Sequence, residues 1–270
     1  TLTNIGLNTA VACATTTANT GISGTGTLNV HDNMAVTAKG TAQANANIVT
    51  PTASFSGVTV TANVAVAVNN VRQNTFVRDC SLNTVTGDVT LVSNLNKNSQ
   101  MGAKARVGAS TATSGSVSYA NLTANACVAN FNAVHTALVS GISGTIHGTL
   151  SVMANTASLA DAGVYSGSAV SYYSGTVTVV YAYAGGSSKA DLYLEKNKKL
   201  RVGKLNLTNQ YQTNATAESK QSDNGISVNM AAADLNVAYA EACSVACVGI
   251  EGDGSLSAED GEGDSLIVLC

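Results

Sequence analysis

Charge is scarce in this chain. Only 11% of its 270 residues are Asp, Glu, Lys or Arg, less than half of the roughly 25% found in ordinary soluble proteins. Tryptophan is absent, and Pro51 is the single proline. From Gly40 to Val71 no formal charge appears at all. A net charge of −3 gives a nucleic-acid backbone or a membrane surface little to hold, so neither is expected as a partner. No run approaches the length of a membrane-spanning helix, and no basic-then-apolar leader is visible. Disordered chains show the opposite bias, with high charge and few β-branched residues.

Catalytic motifs are missing as well. GISGT at 21–25 and 141–145 comes near the G-x-S-x-G elbow, but its fifth residue is Thr. The phosphate loop, the dinucleotide fingerprint and H-E-x-x-H are all absent. Of the three histidines, His31 stands beside Asp32, but neighbours on a strand point to opposite faces. His31 and His147 both flank a repeated phrase, which suits a turn role. No catalytic, cofactor-binding or metal-ligating residue is assigned, no cofactor is expected, and the chain does not read as an enzyme.

What is present is repetition. GISGTGTLNV (21–30) returns as GISGTIHGTLSV (141–152), with echoes after Gly87, Gly203 and Gly263. If Leu28, Val89, Leu150, Leu205 and Leu266 are equivalent, the spacings are 61, 61, 55 and 61 residues. Recurrence at a fixed period is the signature of stacked repeats. Each phrase reads as a corner of a coil, with Gly and Ser making the bend. A second glycine (Gly57, Gly115, Gly175, Gly225) opens a long alternating run in each period.

Alternation at period 2 marks strands. Val58, Val60, Ala62, Val64, Val66 and Val68 share one face, with Thr59, Thr61, Asn63 and Asn69 on the other. Val177, Val179, Tyr181 and Tyr183 are expected to repeat the inward set with larger groups. The AAAD stretch between Met230 and Leu235 slips phase and suggests a bulge or a corner. The Ala-rich TAKGTAQANANI is the one place where a helix competes, but its Thr, Asn and Gly content opposes it.

The fold class is therefore all-β, a β-solenoid, with a β-sandwich as the alternative. It is a single elongated body over 1–270: a partial repeat 1–27, repeats 28–88, 89–149, 150–204 and 205–265, and a partial repeat 266–270. A period near 60 is one wide coil or two narrow ones. The partial repeats suggest a piece of a longer chain, or a protomer completed by neighbours.

The phrases GTLNV, GTLSV and KLNLTN, each leading through a polar Ala-rich arm to VTVTANVAVAV or ISVNMAAADLNVAYAEA, resemble the repeat regions of large bacterial filamentous surface adhesins, the filamentous-haemagglutinin and leukotoxin-like proteins. The resemblance spans nearly the whole chain. It implies export, surface display and adhesion, without catalytic residues. The expected function is a structural, adhesive segment of a secreted or cell-surface filamentous protein, a stiff spacer and contact surface. The alternative is an extracellular fibre subunit that polymerises end to end. The expected partners are neighbouring segments of the same chain or identical protomers, and host or cell-surface glycans or proteins.

Six cysteines are present: Cys13, Cys80, Cys127, Cys243, Cys247 and Cys270. Disulfides, buried thiols and a metal all remain open. Cys127 and Cys243 each precede a landmark by 23 residues, which suggests equivalent positions two layers apart, too far for a bridge. Cys243 and Cys247 lie too far apart to bridge within one straight strand. Charge gathers late, in the basic 195–204 and the acidic 251–264, both read as solvated turns; the basic stretch is also a candidate for blunting an exposed edge. Glu259, Asp260, Glu262 and Asp264 offer oxygen ligands for calcium but lack a known loop spacing. Thr59/Thr61 and Thr176/Thr178 raise the thought of an ice-binding threonine array.

Overall fold

A computed structural model of the chain describes residues 3–49, 54–96, 102–108, 115–166, 168–221, 227–258 and 267–269. They form coils that pass once across a front sheet and once back across a second sheet. The first coil runs along β1 (Thr3–Ser23), then back through β2 (Thr27–Leu28), β3 (Met34–Gly40) and β4 (Ala44–Ile48). The second runs along β5 (Ser54–Arg78) and back through β6 (Ser81–Val85), β7 (Val89–Leu95) and β8 (Ala103–Val107). The third and fourth use one long strand each way: β9 (Gly115–Ser140) and β10 (Ser143–Ser166), then β11 (Ser168–Leu194) and β12 (Lys199–Gln221). The fifth has β13 (Ser227–Gly252), then β14 (Ser255–Ala258) and β15 (Ile267–Leu269).

Every pairing is parallel, and the front sheet follows the order β1-β5-β9-β11-β13. The fold is an all-β solenoid, and each period makes one wide coil. A front strand of 25 residues such as β5 spans roughly 80 Å at about 3.3 Å per residue. TAKGTAQANANI contributes β3 and β4.

The corners are where the repeated phrase places them. Gly24–Gly26 carries the chain from β1 to β2, and Gly141, at φ +60°, carries it from β9 to β10, so the fourth residue of the first phrase is level with the first residue of the second. Asp79 stands in the same left-handed conformation at the second coil's corner, at φ +61°. The corners stack by backbone bonds: Gly24 N–H donates to the Arg78 carbonyl, Asp79 N–H to Ser140, and Gly141 N–H to Tyr193.

Strand register corrects the ruler at its ends. Val89, Leu150 and Leu205 are indeed level, but Met34 rather than Leu28 lies opposite Val89, and Ile267 rather than Leu266 opposite Leu205. Leu28 instead pairs with Leu82. The second landmark does not hold as a column, since Gly115 lies opposite Ser168 and Gly175 opposite Leu122. Gly225 is outside the described residues.

The larger correction concerns the faces. The valine face of β5 points outward, and its Thr, Ala and Asn face points in: Asn63, Ala65, Ala67 and Asn69 are buried while Val60 is exposed. In β11, Val177 and Val179 are about half exposed, whereas Thr178, Val180, Ala182 and Ala184 are fully buried. The reason is the thinness of this half of the core. Alanines on the front (Ala65, Ala67, Ala129, Ala182, Ala184) meet alanines on the back (Ala44, Ala46, Ala103, Ala105, Ala160, Ala162) in one cluster. Such short side chains let two sheets approach more closely than the usual spacing of about 10 Å. The Thr59 and Thr178 faces are buried with them, so the threonine array for ice does not exist on the surface.

Asparagines enter this interior because stacking satisfies them. The Asn8 amide donates to Asn63 at 2.8 Å, and Asn63 donates to Asn125 at 2.9 Å. The other half of the core is thicker, with Leu91, Leu150, Ile146, Leu192, Leu200 and Leu205 completely buried.

No bulge separates β13 from β11: their register runs without a shift from Tyr173↔Ala231 to Leu194↔Gly252. The phase slip at AAAD is nonetheless real, because β9 and β11 share it. Exposed apolar residues change parity between Tyr119 and Leu122 and between Tyr172 and Val177, at the level of Met230 to Leu235. The neighbouring strands change parity at the same level, so their pairing stays intact.

Candidate functional site

The most developed polar constellation lies inside the solenoid, between its thin and thick halves. Inward positions of five strands converge there: Gln73 and Thr75 on β5, Ser93 on β7, His135 on β9, Thr156 on β10 and Ser188 on β11. Thr75 Oγ1 donates to Ser93 Oγ at 2.6 Å, and Gln73 Nε2 donates to the same oxygen at 3.1 Å. Ser93 Oγ lies 2.7 Å from His135 Nε2. With two donors already on its oxygen, Ser93 gives its own proton to Nε2, which assigns the ring proton to Nδ1. Nδ1–H then faces Thr156 Oγ1 and, at 3.4 Å, Ser188 Oγ. Ser188 donates onward to Asn209 Oδ1 at 2.8 Å, and Asn209 Nδ2 closes the chain on the Ser188 and Cys247 carbonyls.

Burial dominates His135. It is 1% exposed, and desolvation of its charged form lowers its pKa from 6.5 to about 4. A neutral imidazole sealed from solvent cannot exchange protons with a substrate. Its place is structural: the constellation satisfies itself across both sheets and fixes their mutual register. Nearby, Tyr211 donates to the Gly185 carbonyl at 2.9 Å, and burial pushes its hydroxyl up to about 12.

A second constellation lies on the outer face of the back sheet. Arg106 pairs with Asp161 one coil away and lies 5.2 Å over the Tyr165 ring; Tyr165 donates to Glu218 at 3.0 Å, and Glu218 pairs with Lys220. Burial raises the Asp161 pKa against the pull of Arg106, while the Lys220 bond lowers that of Glu218. Carboxylates from neighbouring coils do converge here, which the clustering of acids in 251–264 did not foretell. Asp161 is held beneath Arg106 with its side chain 10% exposed, so the arrangement is an ion ladder running from coil to coil.

The residues weighed from sequence fall elsewhere. His31 and Asp32 lie in the bend between β2 and β3, where their carbonyls accept from Thr86 and Gly87. His147 is exposed where β10 shifts register between Ile146 and Thr149. Glu259, Asp260, Glu262 and Asp264 lie outside the described residues, as does Cys270. Among the described residues no group of His, Cys, Asp and Glu could hold a metal. Cys13, Cys80, Cys127, Cys243 and Cys247 are free thiols. Cys127 and Cys243 are not equivalent: Cys127 is level with Val180 and Cys243 with Gly185. Cys243 and Cys247 share the uninterrupted strand β13. The basic 195–204 turns into β12, an interior strand between β10 and β14/β15, so it blunts no edge.

The sequence reading missed the constellation around His135. Its signal was parity, because His135 alternates with Phe131, Ala133 and Ala137, which are all completely buried.

No protein-family model, curated protein or solved structure matches this chain. Among the described residues no helix is long and apolar enough to cross a membrane.

Proposed function

We propose that the chain is a structural and adhesive segment of a secreted or cell-surface filamentous protein, a stiff spacer that presents broad flat faces, and that it is not an enzyme. One observation carries this reading: five wide coils stack with their front strands in unbroken parallel register, with asparagine ladders and sealed polar bonds tying each coil to the next. Such a body resists bending and extension along the stack and offers surface in proportion to its length. The resemblance of its phrases to filamentous adhesin repeats points the same way. Single-molecule force spectroscopy on the purified chain tests the spacer: unfolding in steps of about one coil, 55–62 residues by register, is expected. Collapse in one low-force event would count against it. Retention of beads coated with the chain on glycan or cell-surface protein arrays tests adhesion, and turnover of a glycan by the chain would overturn the non-enzymatic reading.

One observation favours the second reading, a fibre subunit. The edge strands of the front sheet, β1 and β13, match column by column through the intervening coils. Set against β1 of a second copy in that register, β13 would place Asn236 on Asn8, Ala238 on Ala10, Ala240 on Ala12 and Ile250 on Ile22. Unpaired edges that fit one another in this head-to-tail sense grow without closing. Long uniform filaments in negative-stain images are the outcome this reading requires.

A further inference from the structure

The outer surfaces of the two sheets differ in kind. Among the described residues, every large hydrophobic side chain that is exposed, except Val49, belongs to a strand of the front sheet. The outward residues of the back sheet are mainly Thr, Asn, Gln, Lys and Glu, as along β12. The apolar surface is also concentrated in one half of the front; in the other half only Val245 and Tyr193 add to it. In the columns running from Thr3 to Val11 and across the other four strands, no residue of the outward parity is charged; Asp234, exposed on the end strand β13, has the inward parity. Leu7, Leu122, Val179 and Leu235 stand there between 47% and 74% exposed. Arg72, Arg78, Lys189, Asp191, Glu241 and Glu251 all lie in the opposite half.

We infer that this apolar half of the front sheet is the docking surface for a second copy of the chain, packed face to face. The area supports that occupant. Five strands about 4.8 Å apart and nine residues at about 3.3 Å give roughly 700 Å² of flat surface. The aromatic shelf beside it (Phe55, Tyr119, Tyr172, Tyr173) carries it past the roughly 800 Å² per partner of a standard stable interface. It also exceeds the patch of roughly 300–600 Å² that a monomer ordinarily leaves in water. Charge placement supports it too. A two-fold axis along the stacking direction would overlap the apolar halves with strands antiparallel, and would leave both charged halves in solvent. Short branched side chains on a flat sheet interdigitate as they do inside a β-sandwich. A lipid surface is the poorer fit, because no Lys or Arg borders the apolar columns to meet anionic headgroups. The pairing goes beyond the end-to-end reading: it uses a face rather than an edge, and it closes at two.

Sedimentation velocity and light scattering on the whole chain across a micromolar dilution series test the inference. A concentration-dependent species of twice the monomer mass is expected. Val179→Asp and Leu122→Asp should each weaken it at least tenfold, with unchanged far-UV circular dichroism. Should a charge disturb the fold, Val179→Thr keeps the β-branched shape and is expected to weaken the dimer more mildly. Equivalent charges on the opposite face, as in Gln212→Asp, should leave it intact. A chain that stays monomeric throughout overturns the inference. So does a dimer indifferent to the front-face variants, or long filaments that persist in them. Monomers that instead sediment with neutral or anionic phospholipid vesicles through Val179 and Leu122 would assign the face to lipid and overturn it as well.

Discussion

Acidification should weaken this protein through a single buried histidine, and the size of the effect can be worked out. His135 has a pKa of about 4 in the folded chain against 6.5 when exposed. Between those values the unfolded chain binds a proton that the folded chain refuses. Stability is therefore full above pH 6.5 and falls as the pH drops towards 4. At 1.36 kcal/mol per pKa unit the loss is about 3 kcal/mol, a sizeable part of the roughly 5–15 kcal/mol that holds a domain together. The hydrogen-bond partners of His135, Ser93, Thr156 and Ser188, are all neutral, so none offsets the cost of a buried imidazolium. The comparison is urea denaturation of the wild type and His135→Gln at pH 7, 5.5 and 4. Glutamine still offers a donor and an acceptor but does not titrate. Carboxylates such as Asp161 and Glu218 are common to both proteins and cancel. The wild type should lose about 3 kcal/mol more than the variant between pH 7 and 4. Parallel pH dependence in the two proteins would refute the reasoning, because it would mean that His135 can take up its proton without breaking the core.

Two substitutions probe the thin half of the core and its tight approaches. Ala129→Leu adds volume where Ala67 and Ala182 flank a completely buried methyl, and should cost about 1–3 kcal/mol or more by overpacking, read as a lower thermal midpoint. Gly186→Ala should be more severe. Gly186 has φ +132°, and an added Cβ would sit 1.9 Å from the Ala133 carbonyl oxygen, so poor yield or loss of the cooperative thermal transition is expected. A variant as stable as the wild type would contradict the register between β9 and β11.

Much of the architecture was written in the sequence at the scale of the period. The GISGT phrases marked true corners, because a coil of two long strands must turn at fixed places and glycine makes the turn. The run of Val58 to Val68 was correctly a strand, yet its inside and outside were exchanged. In VAVAV both parities are apolar, so alternation reports a strand without saying which face is wet. Hydrophobic size pointed to valine inside; the decisive quantity was the gap between the sheets, which depends on Ala44, Ala46, Ala103 and Ala105, far away in the chain. Asn63 was set on the face away from the valines because an isolated asparagine is poorly buried. Only its equivalence with Asn125 in the next coil shows that the two satisfy one another. The convergence around His135 was hidden for the same reason, since it joins both sheets and three coils.

The inversion of the front-sheet faces is the central claim, and adjacent cysteine substitutions test it most directly. With Cys13, Cys243, Cys247 and Cys270 replaced by serine, Val66→Cys and Ala67→Cys are exposed to a bulky maleimide in dilute native protein and again in denaturant. Val66→Cys should label quickly without denaturant, while Ala67→Cys, whose parent side chain is fully buried, should label only on unfolding. Labelling of Ala67→Cys with protection of Val66→Cys in monomeric protein would contradict the account.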